Sequence, residues 1–387
     1  MPAMQATLHY FSERLRAASS NATPLRFRGG GSKDFYGQTL QGEVLDTRAY
    51  RGILSYEPSE LVITVRAGTP MAEVQAALAE QGQCLPFEPP LFGAATVGGM
   101  VASGLAGPAR ASVGTVRDFV LGVRMLNGQG QDLTFGGQVM KNVAGYDVSR
   151  LMAGSLGQLG LITEVSLKVL PVAPAEATLM CAGVGQSQAL SLLNQWGGQP
   201  LPLNASAWVH DDTLPVAQDC LFVRLRGAVA AVEAAVQKMG AQVQALGAAV
   251  TRMDNAQAMP DWQASGEQTL PFFTQAPTPD ACLWRLSVPQ TAPALNVQAL
   301  LGLPDRQYVE WHGAQRWVWA AASQAGALRA LAHSAGGHAV LFRTSTLHGD
   351  ADKAVGVFSP LDAVQQRIQD QLKKQFDPAG ILNPGRI

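Results

Sequence analysis

Four glycine-rich stretches stand within the first 163 residues: "RGGGS" at 28–32, "ATVGGMVASGLAGP" at 95–108, "ASVGTVRDFVLG" at 111–122 and "GYDVSRLMAGSLGQLGLIT" at 145–163. Glycine reaches positive φ and carries no β-carbon, so successive N–H groups can turn toward one point and hold an anion. Thr96 ahead of Val97-Gly98-Gly99 has the pattern of a helix opening, and a helix amino end also favours negative charge. One "GGG" alone is an ordinary surface turn. Four such stretches in one domain, interleaved with strands, point to a pyrophosphate and to a dinucleotide laid along a groove.

Other chemistries lack their residues. There is no GxxxxGK[ST], so Lys33 after the glycines does not belong to a nucleoside-triphosphate loop. No GxGxxG follows a strand, which removes the main sign of a Rossmann fold. "AGSLG" at 153–157 has a helix before it and a strand after it, the reverse of a nucleophile elbow, so Ser155 reads as a turn residue. The six histidines show no HxH or HxxxH spacing and read as surface or packed side chains; no metal site is expected. Cys84, Cys181, Cys220 and Cys282 are far apart and read as free thiols.

The elements that must position the glycines can be traced in order. An amphipathic helix opens the chain, and "LVITVRAG" (61–68) reads as a buried strand. Thr69 is placed to cap the next helix, with Pro70 in its first turn, Val74, Ala77 and Leu78 on one face, and Gly82 as its stop. "QCLPFEPP" reads as a short strand. "DFVLGVRMLNGQGQDLTF" is a hairpin with Asn127-Gly128 as its turn signal. "LITEVSLKVLP" alternates, with Val165, Leu167 and Val169 on one face, and Pro171 and Pro174 mark a boundary. Beyond it, two successive strand-helix-strand-strand-helix-strand patterns predict one antiparallel sheet covered by helices on one face. The second pattern includes a helix over "APALNVQALLGL". An amphipathic helix and a proline-punctuated tail, "FDPAGILNPGRI", close the chain.

Composition narrows the partners. A chain of 387 residues suggests two or three domains. Its net charge of -1 gives no footprint for nucleic acid or acidic lipid. The charged fraction, 15%, is below the roughly 25% of an average domain, a hint of burial against a partner. The N-terminus lacks the apolar core of a signal peptide, and "GAATVGGMVASGLAGPA" is a poor membrane span. A cytoplasmic protein is expected.

The ordered motifs "RGGGS", "PPLFGAATVGGMVASGLAGP", "VGTVRDFVLGVRMLNGQG" and "KNVAGYDVSRLMAGSLGQLGLITEVSLKVLP" resemble the FAD-binding domain of the vanillyl-alcohol oxidase superfamily, over residues 20–172. "FDPAGILNPGRI" resembles the superfamily's C-terminal signature. More narrowly, "LVITVRAGTP" and "FGGQVMKNVAGYDVSRLM" are similar to the E-subunit family of the bacterial glycolate oxidases (glycolate dehydrogenases). The resemblance implies an α+β fold: a two-lobed PCMH-type FAD-binding domain, then a cap domain with an antiparallel sheet covered by helices. The implied boundaries are a helix over 1–20, the FAD-binding domain over 21–173, a cap of two ferredoxin-like units over 174–350, and a helix and tail over 351–387 returning to the FAD domain.

Carried over residue by residue, the resemblance gives Arg28, Gly29, Gly30, Gly31 and Ser32 to the FAD pyrophosphate and places Thr96, Gly98 and Gly99 beside diphosphate and ring. Gly114 and Thr115 would line the same groove, and Gly160 and Ile162 would meet the cofactor through their backbone. Covalent members have a histidine where this chain has Gly31, so FAD is expected to be held non-covalently. Gly30→Val is expected to strip the flavin more than it harms the fold. Arg117-Asp118 and Tyr146-Asp147 read as an ion pair and a helix cap. Lys141 is open between a phosphate contact and a solvated side chain.

The resemblance also bears on the reaction. Relatives that oxidise D-2-hydroxy acids, the partner D subunit among them, carry several metal-binding histidines in the cap. Here "RTSTLHGDADKAVG" has only His348. Arg343 is the best candidate for a substrate carboxylate. The implied role is an FAD-binding subunit of a complex that oxidises glycolate, with D-lactate a second candidate, and passes electrons to an iron-sulfur subunit. Contact with the membrane's inner face would come only through that complex. The alternatives are a self-sufficient 2-hydroxy-acid dehydrogenase and a structural subunit that has lost FAD.

Overall fold

The computed structural model describes residues 2–137, 146–211, 216–297 and 306–387. The chain forms two compact units. The first holds Met1–Ala106, Gly114–Val172 and Pro360–Ile387; the second holds Gly107–Val113 and Ala173–Ser359. The whole is α+β, with a large antiparallel sheet in the second unit.

In the first unit, β1 (Leu25–Arg28) and β2 (Glu43–Asp46) pair in parallel. The opening helix, Pro2–Asn21, packs Phe11, Leu15 and Ala18 against Leu25, Leu45, Leu126, Leu161, Ile381 and Leu382. Chain start and tail therefore share one core beneath β1. A five-stranded antiparallel sheet runs β3-β4-β8-β6-β7, from β3 (Ile53–Glu57), β4 (Val62–Arg66), β6 (Val120–Leu126), β7 (Asp132–Gly136) and β8 (Leu161–Lys168). Val165, Leu167 and Val169 are buried as the alternation predicts. Ser166 is buried too, because β8 is the central strand. Only Gln83–Cys84 of "QCLPFEPP" is strand (β5), paired with β9 (Leu170–Pro171).

Two local expectations fail for physical reasons. Thr69 does not cap the helix Met71–Glu80; its hydroxyl donates to the Arg66 carbonyl (2.7 Å) and accepts from the Gly52 amide (2.8 Å), and Pro70 takes the cap position. The β6–β7 hairpin has no two-residue turn. Asn127 folds a longer loop by accepting from the Gln129 and Gln131 amides at 3.0 and 2.9 Å.

The second unit carries an eight-stranded antiparallel sheet in the order β13-β10-β12-β11-β15-β16-β14-β17. Its strands are β10 (Ala175–Ala182), β11 (Leu203–Asp211), β12 (Gln218–Gly227), β13 (Ala249–Met253), β14 (Ala281–Ser287), β15 (Gln307–Glu310), β16 (Gln315–Ala321) and β17 (His338–Arg343). Each half has the split β-α-β strand order, and the halves join edge to edge where Ala207, Trp208 and Val209 face Glu310, Val309 and Tyr308. Helices Gln186–Gly197 and Val229–Gln244 bury Leu193, Trp196, Val232 and Met239 against Leu179, Leu221 and Val223. Each such side chain contributes about 1.5–3 kcal/mol. The sheet is not covered on one face alone. Thr178, which points away from Leu179, receives the Trp262 indole N–H (2.9 Å) from helix Asn255–Gly266. No element is read in the sequence over this helix, which has Pro260 inside it. The expected helix over "APALNVQALLGL" extends beyond the described residues.

Candidate cofactor-binding site

β1 delivers the chain into the glycine run, and the tail fixes β1. The Leu25 amide donates to the Ile381 carbonyl, the Asn383 amide to the Leu25 carbonyl, and the Phe27 amide to Asn383 Oδ1, each at 2.8 Å. Asp377 holds the tail's own turn by accepting from the Ile381 and Leu382 amides at 3.0 and 2.9 Å. The Arg28 carbonyl is taken by the Thr47 amide at 3.0 Å. Beyond Arg28, the amides of Gly29, Gly30, Gly31 and Ser32 meet no acceptor among the described residues. Gly31, at φ 72°, turns the chain so that the Asp34 amide reaches its carbonyl at 3.1 Å. Arg28 closes the loop on Asp34 at 2.9 Å.

The helix Val97–Ser103 forms the second wall, capped by Thr96, whose hydroxyl accepts from the Gly99 amide at 3.4 Å. Its Val97 and Gly98 amides are spent on the Thr69 and Ala67 carbonyls (3.0 and 2.8 Å). The glycines divide by what stands against them. A β-carbon at Gly29 would overlap the Thr96 hydroxyl, one at Gly30 the Ala94 carbonyl, and one at Gly98 would lie 2.8 Å from the Ala67 β-carbon. These three let protein meet protein. Gly30→Val must therefore damage the packing of the two loops, which reverses the expectation of a spared fold. Gly99 differs: it is exposed in the groove, and a β-carbon there would meet only Thr96 Oγ1 at 3.4 Å. Its missing side chain leaves a cradle.

One groove brings together Arg28, Gly29, Gly30, Gly31, Ser32, Thr96, Gly98, Gly99, Gly160 and Ile162. Gly160 sits at φ 156° with the Met125 methyl where a β-carbon would go. Gly114 and Thr115 do not line it. The Thr115 amide and hydroxyl bond to Asp118 (2.7 and 3.0 Å) and cap the short helix Val116–Phe119, and a β-carbon on Gly114 would strike that carboxylate. Asp118 is thus a cap rather than the expected partner of Arg117. Asp147 is the cap expected of it, bonded to the Arg150 amide. Lys141 lies outside the described residues.

Sequence reasoning missed the groove's tail residues. Asn383 Nδ2 donates to the Leu156 carbonyl at 2.6 Å. The Arg386 guanidinium donates to the Gln38, Lys33 and Asp34 carbonyls, the last two at 3.2 and 3.0 Å. The closing "NPGRI" was their only signal. Four adjacent amides with no acceptor among the described residues, in the same groove as the open cradle at Gly99, fit the diphosphate of a dinucleotide such as FAD.

Several polar side chains of the second unit are bonded within it. Arg343 donates to Gln268 Oε1 at 2.9 and 3.2 Å, and burial lowers the basicity of its guanidinium. In "RTSTLHGDADKAVG", Asp352 accepts from the Ser345 amide (2.8 Å), the Ser345 hydroxyl (2.6 Å) and the Cys282 thiol (3.3 Å). Burial opposes its charge, but these bonds win and hold the carboxyl below its ordinary value. Among the described residues no three of His, Cys, Asp and Glu gather as metal ligands.

His312 bridges Ser206 and Ser112 at 2.9 Å each, a geometry close to a nucleophile and base. Ser206, fully buried, already accepts from the His312 amide, so its own hydrogen goes to Nδ1. Nε2 then carries the ring hydrogen and donates to Ser112, which is not activated. Burial pushes the imidazole down to about 4.

Residues 7–150 match the family model described as an FAD binding domain. The glycolate oxidase subunit GlcE of Escherichia coli is 43% identical over 376 residues, covering 97% of this chain and 95% of that protein. The chain belongs to the GlcE family. The glycolate oxidase subunit GlcD of Bacillus subtilis is 31% identical over 171 residues, 44% of this chain and 36% of GlcD. Solved structures show the same fold at low identity. A 4-ethylphenol oxidase from Gulosibacter chungangensis matches with a TM-score of 0.67 at 15% identity, covering 96% of this chain and 86% of that one. An alkyldihydroxyacetonephosphate synthase matches with a TM-score of 0.67 at 16% identity, covering 97% and 75%. This GlcE-family chain thus has the PCMH-type fold, and no helix among its described residues is long and apolar enough to cross a membrane.

Proposed function

We propose that the chain is the FAD-carrying subunit of a glycolate oxidase complex. The observation that carries this reading is the row of unspent amides from Gly29 to Ser32 in the same groove as the cradle at Gly99, in a member of the GlcE family. Those amides hold the FAD diphosphate; Thr96, Gly98, Gly99, Gly160 and Ile162 shape the groove, and Asn383 and Arg386 keep its wall in place. Gly114 and Thr115 act one step away, through the cap on Asp118. Gly31 offers no nucleophile for a covalent link, so the cofactor is held non-covalently.

FAD, when bound, supplies the two-electron oxidation of a CH–OH carbon. Glycolate is the substrate of the complex and D-lactate a second candidate. A D-type flavoprotein carries most of the substrate oxidation, and an iron-sulfur subunit takes the electrons. The complex works in the cytoplasm, at the membrane's inner face only through its assembly. Arg343 is the one residue of this chain assigned to a substrate carboxylate.

Acid precipitation of the yellow holoprotein should leave the flavin in the supernatant. Anaerobic mixing of the FAD-loaded chain with glycolate should bleach it far more slowly than the assembled complex turns over. Bleaching at the rate of the complex contradicts the division of labour and makes Arg343 a catalytic residue; a colourless protein that cannot be reconstituted contradicts the cofactor.

A further inference from the structure

The second unit contains a cavity of about 270 Å³ between the sheet and the helix Asn255–Gly266. An engineered apolar cavity of about 150 Å³ already accepts benzene. This one has room for a ring and a substituent. Two small residues open the space, Ala207 on β11 and Ala258 on the helix, both buried. Phe222, Met253, Trp262 and Phe272 supply apolar walls, and the Trp262 indole is fixed by Thr178. Interiors are otherwise packed with few voids larger than water, so a prebuilt space with rigid aromatic walls fits a ligand.

The polar groups narrow the ligand. Ser265 Oγ and the Tyr308 hydroxyl lie 2.9 Å apart on the cavity wall, and one bond between two hydroxyls leaves one hydrogen to donate elsewhere. Burial raises the Tyr308 phenol above its ordinary range, so it keeps its hydrogen. Asp261 is exposed at the cavity and Asp211 lines it as well; these two carboxylates outnumber the one arginine among the described lining residues and disfavour an anion. Arg306 also lines the cavity, and His210 is held by Asp219 at 2.8 Å. We propose that this cavity binds a small uncharged aromatic molecule bearing one hydroxyl or carbonyl oxygen, with the ring between Phe222 and Trp262 and the oxygen on the Tyr308–Ser265 pair. The cavity shares no lining residue with the cofactor groove, and its ligand is uncharged where a 2-hydroxy acid is anionic.

Saturation-transfer NMR and thermal shift on the full chain test this with benzyl alcohol, toluene and benzoate. Benzyl alcohol should bind with a Kd near 1 mM, as a ligand of its size allows (about 1 mM). Toluene should be about tenfold weaker for want of the oxygen, and benzoate should not compete. Ala258→Phe fills the cavity and should abolish binding. Tyr308→Phe combined with Ser265→Ala removes both hydroxyls, keeps the apolar wall and should bring benzyl alcohol down to the affinity of toluene. If Ala258→Phe does not fold, this double variant decides alone. Wild-type affinity in the double variant, or no saturation of the wild type by about 10 mM benzyl alcohol, overturns the proposal.

Discussion

In the groove of the first unit the backbone amides from Gly29 to Ser32 are left without a protein acceptor among the described residues. In the second unit several side chains of chemical character bond to one another: Arg343 with Gln268, Asp352 with Ser345 and Cys282, His312 with two serines. Glu310 belongs to that second group, accepting from the Trp317 indole at 2.6 Å and from Gln315. A site made from backbone shows itself by what the protein leaves unbonded. A network made from side chains hides its purpose, because bonds that hold a fold look the same as bonds that hold a reaction ready. The contrast sets a backbone-built groove in the first unit against networks of side chains in the second.

The largest expected effect tests whether the glycines serve the protein or the ligand. Gly30→Val, forced against the Ala94 carbonyl, should cost more than about 4 kcal/mol and yield little soluble protein. A variant with the wild-type melting temperature would show that the two loops separate freely.

Glu310 and His312 test the second unit as a structural network. Burial pushes the Glu310 carboxyl up to about 7 from an ordinary 4.5. The folded chain then keeps a proton that the unfolded chain has released, so stability falls as pH rises from about 4.5 through about 7, by roughly 3 kcal/mol. Glu310→Gln keeps the acceptor oxygen and should remove that fall; urea unfolding at pH 5 and pH 8 measures it. His312 has the opposite sign. Its depressed pKa gives stability that is present above about 6.5 and lost as pH drops toward 4, and His312→Gln should remove that acid loss. Profiles unchanged by either substitution would mean that neither group is buried as described.

Asn383→Ala probes the support of the groove. It removes the bonds to the Phe27 amide and the Leu156 carbonyl from a residue at φ 40°. The expected cost is about 2 kcal/mol, with weaker flavin retention on dialysis. Full retention would remove the tail from the site. Thr96→Ala should cost least, about 0.5–1 kcal/mol, because its capping bond is long at 3.4 Å.

How much could be read in the sequence follows the same division. The glycines of the groove and the Thr96 cap were legible, since each answers to a local backbone requirement. The strand-helix rhythm of the second unit was legible because the apolar period repeats over whole elements. Asn383 and Arg386 were not, because they bond to residues some 350 positions away and nothing local marks them. Thr69 and Gly114-Thr115 misled for the opposite reason. Their residue types suit a cap or a phosphate loop equally well, and only the positions of Gly52 and Asp118 decide how the hydroxyls are used. The helix on the sheet's other face was not legible, because Pro260 inside it argues against a helix there.

Gly99→Leu gives the most direct test of the central claim. Leucine favours the helix Val97–Ser103 more than glycine does, by about 0.8 kcal/mol. Its β-carbon meets only Thr96 Oγ1, and the rest of the side chain enters the groove. The flavin absorbance and the melting temperature of the purified variant are to be measured together. The account predicts a colourless chain that melts at or above the temperature of the wild-type chain stripped of flavin. Wild-type flavin occupancy in a folded Gly99→Leu chain would contradict it, and the groove would not be where the cofactor lies.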